Sequence, residues 1–486
     1  MKNLALRVDE RAFLVAKPAG RIAPRTGPAG QGALRNPDKT IRFLIAPSHP
    51  NHYDQRMVEG LAAGLRALGH EARALPSPLG EIGAADVCRR LDVDVLIQIN
   101  RLRPTYNALP AKVRHVAWLQ DIFPASFDAT RSQFHEGDIV YTLGDAGVLG
   151  LDAALPCHVG TLLTGVDETG LDRQGNAIKK RIDFSLCGYI PPPPEIQSSP
   201  RQDLTWYIQD SLKRLPLLGN SLPMALLCRL MFRRLMPRNH VPYAISSAMR
   251  NTAECHYRPL RGELDAGALA SAMREMIAPV LVPQKQRRSA PPATSKRTRL
   301  GFVMAPYKSI APGAQPEIDW HIDQYAREYP RLLDRRCLVQ SVLTVSDSIE
   351  LYGDGWQKHP EFRPYHKGFI GVQSKLYDVY RRTRLNLANN THGLGLHSRT
   401  LECMAVGGFI FTHASPNDQK PGGIETSFEP GAHYGVYTPE TFPDDARYWL
   451  SNESARIEAG AKAAEIVRQK HLWRHRAEQI LADLKR

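Results

Sequence analysis

Residues 384–413 read RLNLANNTHGLGLHSRTLECMAVGGFIFTH. A short apolar run, Leu385–Ala388, predicts a strand. A glycine-bearing loop follows at His392–His397, a helix opens at Ser398, and Gly408–Thr412 predicts a second strand. Ser398 is a favoured N-cap residue, so its side chain is expected to close the first turn. Free N–H groups and the positive end of the helix dipole then point into the loop, a place for an anion. Arg399 stands in the first turn against the dipole, an arrangement that an anionic partner would offset. Glu402 follows three residues later on the same helix face, within reach of a sugar hydroxyl. An anion cradle beside a carboxylate suits the diphosphate and ribose of a nucleotide. The plainer alternative is an ordinary α/β turn, with Ser398 only a cap and Arg399 and Glu402 a solvated pair.

The flanking sequence extends the pattern. Upstream, SIELYGDGWQKHPEFRPYHKGFIGVQSKLYDVYRRT holds a strand running into Tyr352-Gly353-Asp354-Gly355-Trp356, a glycine turn at Gly368, and a helix bearing Tyr377 and Tyr380. Downstream, EPGAHYGVYTPETFPDDARYWLSN reads as a late strand and helix, and HLWRHRAEQILADL as a closing helix. In this order the segments resemble the C-terminal domain of GT-B glycosyltransferases, most of all the spore-maturation-protein-like branch. That branch pairs an Arg with a Glu three residues on, then a small residue, glycine and an apolar strand; here these are Arg399, Glu402, Ala405, Gly407 and Gly408. His471, Trp473 and Arg476 match the head of its last helix.

The resemblance implies an α/β GT-B fold: two Rossmann-like doubly wound domains facing a cleft, with a largely helical insertion in the second. It also implies transfer of a sugar from a nucleotide-diphosphate donor, with Arg399 on the diphosphate and Glu402 on the ribose. Gly353, Gly368, Gly395 and Ser398 are the further donor-side positions. No metal or other cofactor is expected, because Arg399, backbone N–H groups and Lys367 or Lys375 would neutralise the leaving diphosphate. The chain departs from the pattern at Leu394, where many retaining members carry a second glutamate. No nucleophilic carboxylate is identified, so the stereochemical outcome stays open. A non-catalytic binding or scaffold protein on the same fold is the alternative function.

The N-terminal half alternates strands and helices. IRFLIAP (41–47), VDVLIQI (93–99), HVAWLQD (115–121) and DIVYTLG (138–144) read as strands, and Asp54–Leu68 as a helix closed by Gly69. Such alternation predicts parallel sheets with helices on both faces. The expected divisions are a tail over 1–40, an acceptor-side domain over 41–170, and a nucleotide-sugar domain over 171–470. A helical insertion and basic linker would occupy 191–336, and 471–486 would be a helix crossing back to the first domain. His49 and Asp121, both at strand ends, are catalytic candidates as base or acceptor anchor, with His397 at the end of the glycine loop. Asp54 could instead simply cap its helix, and Asp121 a loop.

Composition narrows the class. The chain has 486 residues, 43% of them hydrophobic, enough for more than one core. No apolar run is long enough to span a bilayer, and the first residues lack the apolar stretch of a signal peptide. Seven cysteines without a paired spacing argue against a disulfide framework or a zinc site, and point to a reducing cytoplasm. The net charge of +14 gathers partly in 17–40 and 283–300, with no nucleic-acid module beside it. Leu222–Asn239, with Arg229, Arg233, Arg234 and Arg238, reads as a basic amphipathic helix. It would either pack between domains or rest on an anionic membrane face, steering a glycan, lipid-linked or protein acceptor.

Overall fold

Arg42–Ala46 forms strand β1, with four of its five residues buried. The computed structural model describes residues 40–104, 107–120, 134–149, 151, 155–169, 171, 182–191, 241–281, 315–393 and 396–486. Five more strands, β2 (Glu71–Ala74), β3 (Val95–Ile99), β4 (Arg114–Leu119), β5 (Ile139–Thr142) and β6 (His158–Thr161), join β1 in one sheet. Its order is β2-β1-β3-β4-β5-β6 and every pairing is parallel. β3 and β5 are buried along their whole length, as strands covered on both faces must be.

Helix α1 (His52–Ala67) follows β1. Its N-cap is Asn51, whose Oδ1 accepts from the Asp54 N–H at 2.8 Å. Asp54 is therefore not the cap: its carboxylate turns back to accept the N–H groups of Ser48 and His49 at 2.9 and 2.8 Å, bracing the loop. α2 (Glu81–Arg90) packs its Ala84, Ala85 and Cys88 with Leu44 and Leu96.

The second sheet contains β7 (Ile182–Cys187), β8 (Ile349–Tyr352), β9 (Thr383–Ala388), β10 (Ile410–His413) and β11 (Gly435–Tyr437). Its order is β11-β10-β9-β7-β8, again all parallel. β10 begins two residues later than Gly408. Gly407 turns with φ 73°, and a Cβ on Gly408 would lie 2.5 Å from Cys403 Sγ, so these glycines make the turn rather than the strand. Each sheet has one place where the direction of strand addition reverses, between β1 and β3 and between β7 and β9. Ligands of doubly wound sheets bind outside the carboxyl ends of such a pair.

Between β7 and β8 the chain forms α3 (Val241–His256), α4 (Ala266–Leu281) and α5 (Gln315–Leu343). These helices are part of the core: Met249, Met273, Leu332 and Val339 pack with Phe184, Leu351 and Leu385 of the sheet. α5 is thus the crossover from β7 to β8. The opposite face carries α6 (Gln373–Arg382), α7 (Ser398–Ala405) and α9 (Glu453–Lys470), while α8 (Phe442–Ser451) packs its Phe442 beside Phe184 and Phe411.

The last helix, α10 (Trp473–Asp483), lies on the first sheet's side of the molecule. Trp473 and Ile480 share a core with Leu61, Val116 and Trp118. Tyr141 donates to Asp483 at 2.7 Å in the buried interface, and Arg476 donates to Thr164 O at 3.1 Å. The two doubly wound sheets with this returning helix form a GT-B arrangement. Among the described residues no helix is long and apolar enough to cross a membrane. The tail through Lys39, the basic run Leu222–Asn239 and the linker over 283–300 lie outside the described residues.

Candidate functional site

The carboxyl ends of β7 and β9 flank a recess lined by Cys187, Tyr380, Asn389, His397, Arg399 and Arg335, among others. It occupies the switch point of the second sheet. Helix α7 rises at its edge, and its first turn differs from the sequence expectation. The N-cap is His397, not Ser398: His397 Nδ1 accepts the Arg399 N–H at 3.3 Å, and its carbonyl accepts from Thr400 at 3.0 Å. Ser398 is the first helical residue and is buried. The N–H groups of Arg399 and Thr400 are therefore taken by the protein itself, and the Arg399 side chain is what this turn presents to the recess.

Arg399 reaches across the recess to donate to the Cys187 carbonyl at 2.7 Å. Arg335, from α5, arrives at the same point. A Cβ on Gly188 would stand 2.5 Å from Arg399 Nη1 and 3.1 Å from Arg335 Nη2, so two guanidinium groups converge over one glycine. Gly188 is itself held by Gly353. Its N–H donates to Tyr352 O at 2.7 Å, and a Cβ on Gly353 would sit 2.6 Å from the Gly188 carbonyl. Gly353, at φ 117°, and Gly368, whose carbonyl accepts the Gly353 N–H at 3.0 Å, thus build the backbone floor under the arginines.

Arg335 is only 7% exposed. Its Nε donates to Asn389 Oδ1 at 3.3 Å, and its guanidinium stacks 5.2 Å from the Tyr189 ring. Asn389 is oriented in turn by Thr391 at 2.9 Å and Asp334 at 3.4 Å. Burial first, then the charges of Arg399 and Arg331, lowers the Arg335 pKa to about 9, which leaves it charged at neutral pH. Among the described residues no carboxylate forms an ion pair with Arg335 or Arg399, and Arg335 Nη1 is buried with no hydrogen-bond partner.

Glu402 sits one turn along α7, 4% exposed. Oε1 accepts from Arg56 Nη1 of α1 at 3.1 Å, an ion pair from one sheet's side of the cleft to the other. Oε2 has no partner among the described residues. Arg399 and Glu402 are thus not paired with each other on a solvated face. Tyr53 of α1 approaches the His397 ring with centroids 6.2 Å apart, so the first turns of α1 form the opposite wall.

His397 keeps part of its surface open to solvent at the cleft. Its pKa is held well below the ordinary value by the surrounding protein, then by Arg399, Arg335, Arg331 and Arg56. The neutral ring spends its Nδ1 lone pair on the Arg399 N–H, so Nε2 carries the hydrogen and can donate to a ligand oxygen.

Of the other sequence candidates, His49 is exposed on the braced loop, its ring 3.9 Å from Asp54, and among the described residues it is not part of the recess lining. Lys367 and Lys375 are exposed on the loop and helix after β8; the cation brought to Arg399 is Arg335 instead. Asp121, Leu394 and Gly395 lie outside the described residues. Among the described residues no group of three His, Cys, Asp or Glu side chains is placed to hold a metal ion. Sequence reading missed Arg335 and Asn389. Arg335 lies in a helix with no motif of its own, and only the chain's return through β9 brings Asn389 beside it.

A two-domain protein with a cationic recess at the switch point of its second sheet is the class that fold and site define. Residues 333–482 match the family model described as glycosyl transferase-like. A glycosyltransferase from Rickettsia africae ESF-5 is similar over 92% of this chain and 98% of its own, at 9% identity and a TM-score of 0.43. Sucrose-phosphate synthase from Thermosynechococcus elongatus aligns over 91% and 98%, at 10% identity and 0.42. Anabaena HepE, in complex with UDP and glucose, aligns over 91% and 99%, at 11% identity and 0.40. Comparison with curated proteins gives no match.

Proposed function

We propose that this protein transfers a sugar from a nucleotide-diphosphate donor to a glycan, lipid-linked or protein acceptor. Arg399 would contact the diphosphate and Glu402 the ribose. The observation that carries the reading is an uncompensated positive recess beside a buried carboxylate with one oxygen unpartnered. Oε1 of Glu402 is occupied by Arg56, while Oε2 is available to a ribose hydroxyl without breaking that pair. Glycosyl transfer leaves negative charge on the departing diphosphate, and fixed guanidinium groups are suited to stabilise it. His397 Nε2–H would donate to a donor oxygen. The loop carrying His49 would lie toward the acceptor. The Arg399/Glu402 spacing favours the spore-maturation-protein-like branch within the superfamily.

Calorimetry with UDP, GDP and dTDP on wild type, Arg399→Ala and Glu402→Ala tests the site. Binding of one nucleotide by wild type, weakened in both variants, is expected. Turnover in Arg399→Ala should fall by the equivalent of about 2–4 kcal/mol, the usual loss for one oxyanion-type donor. No nucleotide binding, or equal binding by all three proteins, refutes the reading. Slow release of free nucleotide from a sugar nucleotide distinguishes an enzyme from a binding protein.

A further inference from the structure

Arg335 is the feature the proposed function does not yet use. It is carried by α5, eight residues before that helix ends at Leu343. That places it about 12 Å up from the helix end, roughly the height of a short strand, and so level with the carboxyl ends of β7 and β9. A buried arginine ordinarily has a carboxylate partner. Its neighbour Arg331 does, donating to Glu328 Oε1 at 2.8 Å. Arg335 has an amide, an aromatic face and another arginine. Arg56 is matched by Glu402. Among the described residues, two positive charges, on Arg335 and Arg399, therefore meet over Gly188 with no matching carboxylate, and one buried N–H group of Arg335 is unpartnered.

We infer that Arg335 is a second phosphate ligand of the recess, paired with Arg399, so that the recess holds a diphosphate between two guanidinium groups. The inference rests on the donor reading above and adds a residue from the helical insertion to it. Asn389 is then a positioning residue: Thr391 and Asp334 fix its amide, and its Oδ1 aims the Arg335 fork. Asp334 also accepts from Tyr257 and the Leu260 N–H at 2.8 Å each, so the insertion helices brace the same fork. A cation kept for packing alone would gain nothing from standing beside Arg399. A cation kept for an anion leaves the empty protein strained by like-charge repulsion.

That difference supplies the test. Thermal unfolding without ligand and calorimetry with inorganic pyrophosphate, UDP and GDP are measured on wild type, Arg335→Gln, Arg335→Lys and Arg399→Gln. Arg335→Gln should bind pyrophosphate at least about tenfold more weakly, the scale of one lost charged hydrogen bond, with partial recovery in Arg335→Lys. Its ligand-free melting temperature should rise, because the repulsion is relieved. Unchanged pyrophosphate affinity in Arg335→Gln, or a lower melting temperature with affinity intact in Arg335→Lys, overturns the inference. If a nucleotide binds and only Arg399→Gln weakens it, the donor reading stands without Arg335. If pyrophosphate binds through Arg335 but neither nucleotide binds, the anion site stands and the donor reading falls. Binding of none of the three by wild type refutes both.

Discussion

At Gly188 a single methyl group would meet the ends of two arginine side chains and no backbone atom nearer than they are. Flexible side-chain ends can move aside, so Gly188→Ala should fold with little change in melting temperature. The displaced guanidinium groups should bind nucleotide several-fold more weakly, which calorimetry on the variant would show; unchanged affinity would mean that Arg399 and Arg335 do not act from this position. Gly188 lies just past β7, in a stretch that carries no motif of its own. Arg399 and Glu402 were legible because their spacing is local to one helix. Arg335 was not, because its significance depends on Gly188, Asn389 and Arg399 arriving from three other segments. The mistaken cap has a similar origin: Ser398 has the better capping propensity, but His397 holds the position preceding the helix and reaches the Arg399 N–H with its ring.

Among the elements, α1 and α10 fit closely together. Gly60 and Gly64 leave a shallow face on α1, and Trp473 fills it. A Cβ on Gly60 would lie 2.1 Å from the Trp473 indole nitrogen, and one on Gly64 would lie 2.6 Å from the Trp473 backbone carbonyl. Neither helix can retreat without opening the core that Trp118 and Trp473 share, so Gly60→Ala should destabilise by about 1–3 kcal/mol and Trp473→Ala by about 3–5 kcal/mol. Denaturant unfolding followed by tryptophan fluorescence measures both. A Trp473→Ala protein as stable as wild type would show that this packing is dispensable. The α1 pattern was readable from Met57, Leu61, Leu65 and Leu68, at helical spacing. Nothing in that pattern says that a distant helix covers the glycine face, since a glycine in a helix reads first as a weakness.

On the scale of the whole molecule, two buried histidines tie stability to pH. Burial, then Arg103, lowers the His115 pKa to about 3, and burial, then Arg476, lowers that of His471 to about 3. Both are neutral in the fold and take up protons readily in the unfolded chain, near pH 6.5. Their contribution is complete above about pH 6.5 and is lost as pH falls toward 3. Asp418, raised to about 6 by burial, acts in the opposite sense between about pH 4 and 6 and offsets only part of this. The melting temperature should therefore fall on acidification below pH 6.5, and His471→Gln should flatten that fall; a flat profile in wild type would contradict the buried neutral rings. The alternation of strands and helices made the two sheets readable in outline. The cross-cleft pair of Arg56 with Glu402 was not, because no local pattern links α1 to α7.

The returning helix also bears on biosynthesis. Domains generally acquire structure in the order in which they leave the ribosome. Here the first sheet emerges early, yet the apolar face of α1 must wait for Trp473 and Ile480, which are translated after the entire second sheet. Until then the glycine face of α1 lacks the tryptophan that fills it in the fold. A nascent chain halted before Trp473 would present the glycine face of α1 to chaperones and proteases.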